Sequence, residues 1–308
     1  MLTFLYRPLC TRLDVYKILF LIAVAVISTI PWDAHLIRRK IWTYPPGVII
    51  GPTLFSIPLE EVFFFVIQTY NTCILYLLIS TPVFKPAYLV GTETGNGLLA
   101  RLKTRRAVGQ VIIIAVILAG AVQLWKGGEG TYLGLILVWA GPFILLLWTL
   151  AYQFLGNLPY ANILIPIALP TLYLWVVDTL ALQRGTWSIE SGTKLGIHVW
   201  PALEVEEAIF FLATNTLIVF GLVAFENAMA ILEAFPTLFP DLPALPSPII
   251  ITQALLMDPA KYDNERILGI QEAVARLQRK SRSFYLASSV FHGRLRIDLI
   301  LLWVFPLC

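Results

Sequence analysis

Apolar positions in this chain run in blocks, and the charged positions fall between them. Runs free of Asp, Glu, Lys and Arg cover residues 62–84 (23 residues), 107–125 (19) and 208–225 (18). Residues 131–177 form a run of 47, long enough for two crossings, with Gly156-Asn157-Leu158-Pro159 as the turn between them. Residues 18–32 give 15 more, extended by 13–17 if Lys17 snorkels to the membrane surface. A spanning helix needs about 20 mostly apolar residues. The pattern therefore predicts an all-α, multi-pass membrane bundle of about six spans, seven at most. The further uncharged stretch 41–59 holds Pro45, Pro46, Gly47, Gly51, Pro52 and Pro58. Proline breaks helical hydrogen bonding, so this stretch reads as an interfacial or re-entrant segment.

Beyond Glu226 the pattern changes. Six prolines between 236 and 259 read as a stiff linker, spanning about 236–260. From Asn264 the chain turns charged and amphipathic, with Ile267, Ile270, Val274 and Leu277 at helical spacing. This reads as the first helix of a soluble unit, a short tail of 261–308 too small to bury a sizeable core.

Composition agrees. Of 308 residues 58% are hydrophobic and 13% charged, against roughly a quarter charged in soluble domains. A net charge of +3 without a basic, aromatic-interleaved cluster excludes nucleic acid as a partner. Three scattered cysteines make neither a disulfide framework nor a metal spacing. The first apolar run ends at Pro31-Trp32-Asp33 rather than at small residues, so a cleavable signal peptide is not expected.

The membrane part, about residues 1–235, contains an internal duplication. Asp33 is followed by Trp42 and then by Glu60-Glu61-Val-Phe-Phe-Phe65; Asp178 is followed by Trp187 and then by Glu206-Glu207-Ala-Ile-Phe-Phe211. The intervals differ by at most one residue. The copies cover about 13–84 and 160–225, using spans one and two and spans five and six. Four crossings separate equivalent helices, so the copies are parallel and both Glu pairs lie on one side of the membrane. Lys and Arg number eight at the N-terminus and even loops against six at the odd loops, which predicts a cytosolic N-terminus.

Either Glu pair alone is explained by the helix dipole. Two pairs at matched positions in a chain this poor in acids point further. Glu61, Phe64, Phe65 and Gln68 share one helix face, as do Glu207, Phe210, Phe211 and Thr214. Phenylalanines so spaced also serve ordinary helix packing. A carboxyl kept protonated by apolar surroundings and a second carboxyl can act as a general acid, and aromatic faces stabilise cations. The matching chemistry is protonation of an alkene, carbocation cyclisation and deprotonation of an apolar substrate from the bilayer. Asp33 and Asp178 would orient the acids or simply end their spans. His35 and His198 do not align between copies, so no metal is expected. No span has an interior Lys for a retinal Schiff base, and no Gly-x-Gly-x-x-Gly supports a flavin or nicotinamide. A proton-coupled transporter stays open as the alternative, as does a plain membrane anchor, which leaves the matched Glu pairs unexplained.

The segment Ile57-Pro-Leu-Glu-Glu-Val-Phe-Phe-Phe-Val-Ile-Gln-Thr-Tyr-Asn71 and its counterpart at 204–215 resemble the fungal carotenoid cyclases related to two-subunit bacterial lycopene cyclases. Residues 276–291 resemble the opening of a phytoene synthase domain. That order is the layout of the fungal bifunctional lycopene cyclase/phytoene synthase family. The resemblance implies a β-cyclase (an isomerase or intramolecular lyase) that needs no flavin or other cofactor, with Glu60, Glu61, Glu206 and Glu207 as catalytic acids. It also implies lycopene or a related carotene as substrate, an endomembrane location and other carotenoid enzymes as partners; an inactive relic is the other outcome left open. Mg²⁺ is expected only of an intact synthase domain. Here no Asp-Asp-x-x-Asp occurs, and the chain reads Trp303-Val-Phe-Pro-Leu-Cys308 where that motif's helix would run. The synthase half, from geranylgeranyl diphosphate to phytoene, is therefore expected to be truncated and inactive.

Overall fold

In a computed structural model, residues 2–280 are described apart from 82, 241, 242 and 244. After a single helical turn, α1 (Leu2–Tyr6), six long helices follow: α2 (Arg12–Arg38), α3 (Leu59–Ser80), α4 (Asn96–Lys126), α5 (Thr131–Asn157), α6 (Tyr160–Gln183) and α7 (Val205–Ala234). Each is long and apolar enough to cross a membrane. Even the shortest, 22 residues, reaches about 33 Å, enough for the hydrocarbon layer.

Local chemistry sets the helix ends. Thr11 and Asp14 form a reciprocal capping box at the start of α2. Pro58 and Pro159 stand just before α3 and α6, where no helical N–H is lost. Pro31, Pro142, Pro166 and Pro170 lie inside helices. Spanning helices tolerate such prolines because neighbours re-satisfy the backbone. In α6 the Thr171 hydroxyl donates back to the Ile167 carbonyl at 2.7 Å.

The two copies of the duplication are α2–α3 and α6–α7, with the α4–α5 hairpin between them. Helix α7 is the hub, packing on α2, α3, α5 and α6. Helix α4 lies outermost and turns Val108, Val111, Ile112 and Leu118 outward, as a lipid-facing helix should. The stretch 41–59 does not span. It forms β1 (Trp42–Thr43) and a hairpin of β2 (Thr53–Leu54) with β3 (Ile57–Pro58). Strand β1 pairs antiparallel with β4 (Ser188–Ile189) of the second copy, joining the copies outside the membrane layer. A last short pair, β5 (His198–Trp200) with β6 (Leu203–Glu204), leads into α7.

Two sequence expectations need correction. Lys17 does not snorkel. It is buried, donates to Glu226 Oε1 at 2.5 Å and lies 3.5 Å from Asp14 Oδ1. Nor is 236–260 only a stiff linker, because α8 (Pro248–Leu256) forms within it. Ser247 caps α8, and Pro248 occupies the first helical position, where its missing N–H costs nothing. Ile250, Ile251 and Leu255 of α8 pack on the core beside α7. Helix α9 (Asp263–Lys280) docks on the same end: Arg266 donates to the Leu89 carbonyl at 3.2 Å, and Asp263 accepts from the Glu93 amide at 3.1 Å. The synthase-like positions Ser281, Arg282, Ser283, Phe284 and Tyr285 lie outside the described residues, as does the rest of 281–308.

Candidate active site

Helices α3 and α7 meet face to face at the end of the bundle where both begin. Gln68 Nε2 donates to Thr214 Oγ1 at 2.8 Å, and Thr72 Oγ1 donates to Asn215 Oδ1 at 2.8 Å. These buried bonds fix the register of the two helices. Four residues nearer the helix starts the phenylalanines interlock crosswise. Phe64 meets Phe211 with ring centroids 6.1 Å apart, and Phe65 meets Phe210 at 6.4 Å. Trp32 stacks on Phe210 at 5.4 Å, and Trp139 of α5 on Trp32 at 4.8 Å. The predicted shared faces thus do pack together, lined with aromatics.

The four glutamates divide into two matched kinds. Glu60 Oε1 accepts from the Ile50 amide at 2.6 Å, and Glu206 Oε1 from the Leu195 amide at 2.7 Å. Each pins the loop preceding its own helix. Glu61 and Glu207 instead accept from phenols: Tyr44 Oη donates to Glu61 Oε1 at 2.8 Å, and Tyr132 Oη to Glu207 Oε1 at 2.5 Å. Glu207 and Tyr132 are sealed, at 1% and 0% exposure, whereas Glu61 is half-buried. Burial and, next, the Glu61 carboxylate push the Tyr44 phenol well above its ordinary range. Tyr44 therefore stays a hydroxyl donor throughout the working pH range.

Glu61, Glu207 and Asp178 line one cavity of about 190 Å³, and Phe64, Phe210 and Phe211 are among its walls. Glu60 reaches its edge, with Trp42 and Trp187. Asp33 is buried behind Glu61, within range of its charge, and Phe65 backs Phe64 and Phe210. Asp33 Oδ1 and Asp178 Oδ2 are buried without a hydrogen-bond partner. Among the described residues no Lys or Arg pairs with Asp33, Glu61, Asp178 or Glu207. Isolated carboxylate charges are costly to bury without a cation beside them. No group of three or more His, Cys, Asp or Glu among the described residues is arranged to hold a metal.

Sequence reasoning missed Tyr44, Tyr132 and Trp139. Tyr132 and Trp139 lie on α5, outside both copies, so the repeat could not point to them. The usable signal was depth: Tyr132 opens a span at the same membrane level as the Glu pairs.

No protein-family model matches the chain, and no solved structure matches it. Curated sequences do. The chain is 61% identical over 305 residues to the bifunctional lycopene cyclase/phytoene synthase of Leptosphaeria maculans, covering 99% of this chain and 52% of that protein. Proteins of the same description from Phaeosphaeria nodorum (57%; 99% and 52% covered) and Gibberella fujikuroi (58%; 97% and 50%) match in the same way. Along nearly its whole length the chain is similar to the fungal bifunctional lycopene cyclase/phytoene synthases, and it spans about half the length of the curated relatives it matches.

Proposed function

We propose that the chain closes the end rings of a linear carotene, lycopene or a close relative, by acid catalysis. The observation that carries this is convergence: the matched acids Glu61 and Glu207 open on one aromatic-walled cavity among buried carboxyls that have no cation partner among the described residues. Glu61 and Glu207 are the catalytic acid and base. One protonates the terminal double bond of the substrate. The next double bond attacks the tertiary cation and forms the ring carbon–carbon bond. A ring proton then leaves to a carboxylate of the cluster. One π bond is exchanged for one σ bond and the proton is returned, so the reaction is a redox-neutral isomerisation. Asp33 and Asp178 hold the proton inventory of the cluster, and Glu60 and Glu206 fasten the loops above it.

Size supports the reading. An apolar cavity of about 150 Å³ accepts benzene, so about 190 Å³ suits one folding end group. The rest of a long polyene would lie along the helices in the bilayer. The walls Phe64, Phe210 and Phe211 are aromatic, and aromatic faces stabilise a cation without offering it a nucleophile.

The test is pigment analysis in bacteria engineered to accumulate lycopene. The intact chain should give one-ring or two-ring products. Glu61→Gln and Glu207→Gln, each keeping shape without an acidic proton, should lower ring formation by about a hundredfold or more, within the ordinary range for general acid–base catalysis. Unchanged lycopene from folded, membrane-inserted wild type would refute the reading.

A further inference from the structure

The duplication copied the acid but not the group that holds it. Tyr44 lies two residues after Trp42, and the matching position two residues after Trp187 is Ile189, which is buried and has no hydroxyl. The second phenol comes instead from the first turn of α5, an element of neither copy. Two unrelated elements thus deliver the same kind of donor, a phenol, to one carboxyl oxygen of each of two matched acids. Packing does not require this. Tyr132 sits in a sealed aromatic cluster with Trp42 at 5.8 Å, where Phe would bury the same ring with no hydroxyl to satisfy.

Resting on the cyclase reading above, we infer that Tyr44 and Tyr132 are positioning residues, each occupying Oε1 of its glutamate so that the transferable proton is carried on Oε2. A phenol that donates to Oε1 makes that oxygen the poorer site for the acid proton, which goes to the other oxygen. Once the proton has left for the substrate alkene, the same phenol makes a charge-assisted bond to the carboxylate that remains. The phenolic proton stays on tyrosine throughout. The proton lost from the ring returns to a carboxylate of the cluster, so the cycle balances without a further reactant.

The experiment uses the full chain in membranes supplied with lycopene, measuring initial rates of ring formation across pH for wild type, Tyr44→Phe and Tyr132→Phe. The ionisable groups facing the two acids are Asp33 from α2, Glu60 from α3, Asp178 from α6 and Glu206 from α7, all unchanged by these substitutions. Each Phe variant should lower kcat on the order of tenfold to a hundredfold, the value of a hydrogen bond to a charged group. KM should hardly move and the pH–rate profile should be displaced by about one unit; rates are taken per folded molecule, because Tyr132→Phe leaves a buried oxygen of Glu207 without its donor and lowers stability. Rates and profiles matching wild type would overturn the inference, as would losses seen only in KM or in the amount of folded protein. Should Tyr132→Phe fail to accumulate, fluorotyrosine at position 132 keeps ring and bond while altering the donor; a displaced profile supports the inference and an unmoved one overturns it. Glu61→Gln and Glu207→Gln run beside these. If they cyclise normally, the acid reading itself fails; if they are dead while both Phe variants are normal, only the role of the phenols fails.

Discussion

Glu226 offers the sharpest test of what holds the two copies together. It lies nineteen residues along α7 from Glu207, about 29 Å towards the opposite membrane face. It is 1% exposed, receives Lys17 of α2 at 2.5 Å, and also pairs with Lys85, which follows α3. One carboxylate thus ties the first copy to the second at the end remote from the acids. Glu226→Gln keeps the shape and removes the charge, leaving Lys17, at 3% exposure, with only Asp14 at 3.5 Å. Breaking one partner of a buried pair costs about 3–5 kcal/mol. Asp14 remains as a partial counter-charge, and the Lys85 side chain is 21% exposed and can reach water, so the loss should sit near the lower figure, about 3 kcal/mol. Replacing both sides, Lys17→Met with Glu226→Leu, removes the desolvation cost together with the attraction and should fall within roughly 1 kcal/mol of wild type. The assay is heat-induced loss of monodisperse protein in detergent, with cyclised carotene measured per folded molecule. Glu226→Gln should unfold several degrees lower yet turn over normally when folded. A single variant as stable as wild type, or a double variant no better than the single, would refute the reasoning.

Two further outcomes follow from the site. Glu206→Ala removes the anchor of the Leu195 amide and should cost about 1–3 kcal/mol of stability, while losing less activity per folded molecule than Glu207→Gln; an equal or greater activity loss would place Glu206 in the chemistry rather than in loop support. Ala181 of α6 lines the cavity, so Ala181→Trp should lower ring formation about tenfold or more by filling the space meant for the end group, and normal turnover from that variant would mean the substrate end group binds elsewhere.

The spans were legible because lipid solvation leaves a simple mark, an uncharged run of helix-crossing length. The pairing of Glu61 with Glu207 was legible for a different reason: Asp33, Trp42 and Asp178, Trp187 keep their intervals, so the repeat calibrates itself. What was hidden depends on contacts between distant segments. A lysine one turn inside a span looks like a snorkelling residue until Glu226 is found beside it, 209 positions away. A tyrosine opening an uncharged run looks like an ordinary interfacial aromatic, and nothing local aims Tyr132 at Glu207. Proline spacing likewise suggested only a stiff linker, because a proline at the first position of a helix carries the same letter as one that breaks it.

The duplication also explains why Glu61 and Glu207 line the same cavity. In a two-fold arrangement, residues on the axis meet their own counterparts and residues off it meet crosswise. Thr43 faces its counterpart Ser188 across β1 and β4, with the two hydroxyls 3.0 Å apart. Gln68 bonds its counterpart Thr214. Between these levels the contacts cross, Phe64 to Phe211 and Phe65 to Phe210. A pseudo-axis therefore runs between α3 and α7 from the β1–β4 pair into the bundle, and Glu61 and Glu207 sit at one depth on either side of it. Parallel copies related in this way must turn both acids towards the same space. The symmetry then fails where the chemistry needs a difference: α5 covers only the Glu207 side, sealing that acid with Tyr132 while Glu61 stays half-open beside Tyr44. Under the proposed cyclisation, an acid and a base acting on one substrate need different surroundings, and the unduplicated hairpin supplies the difference.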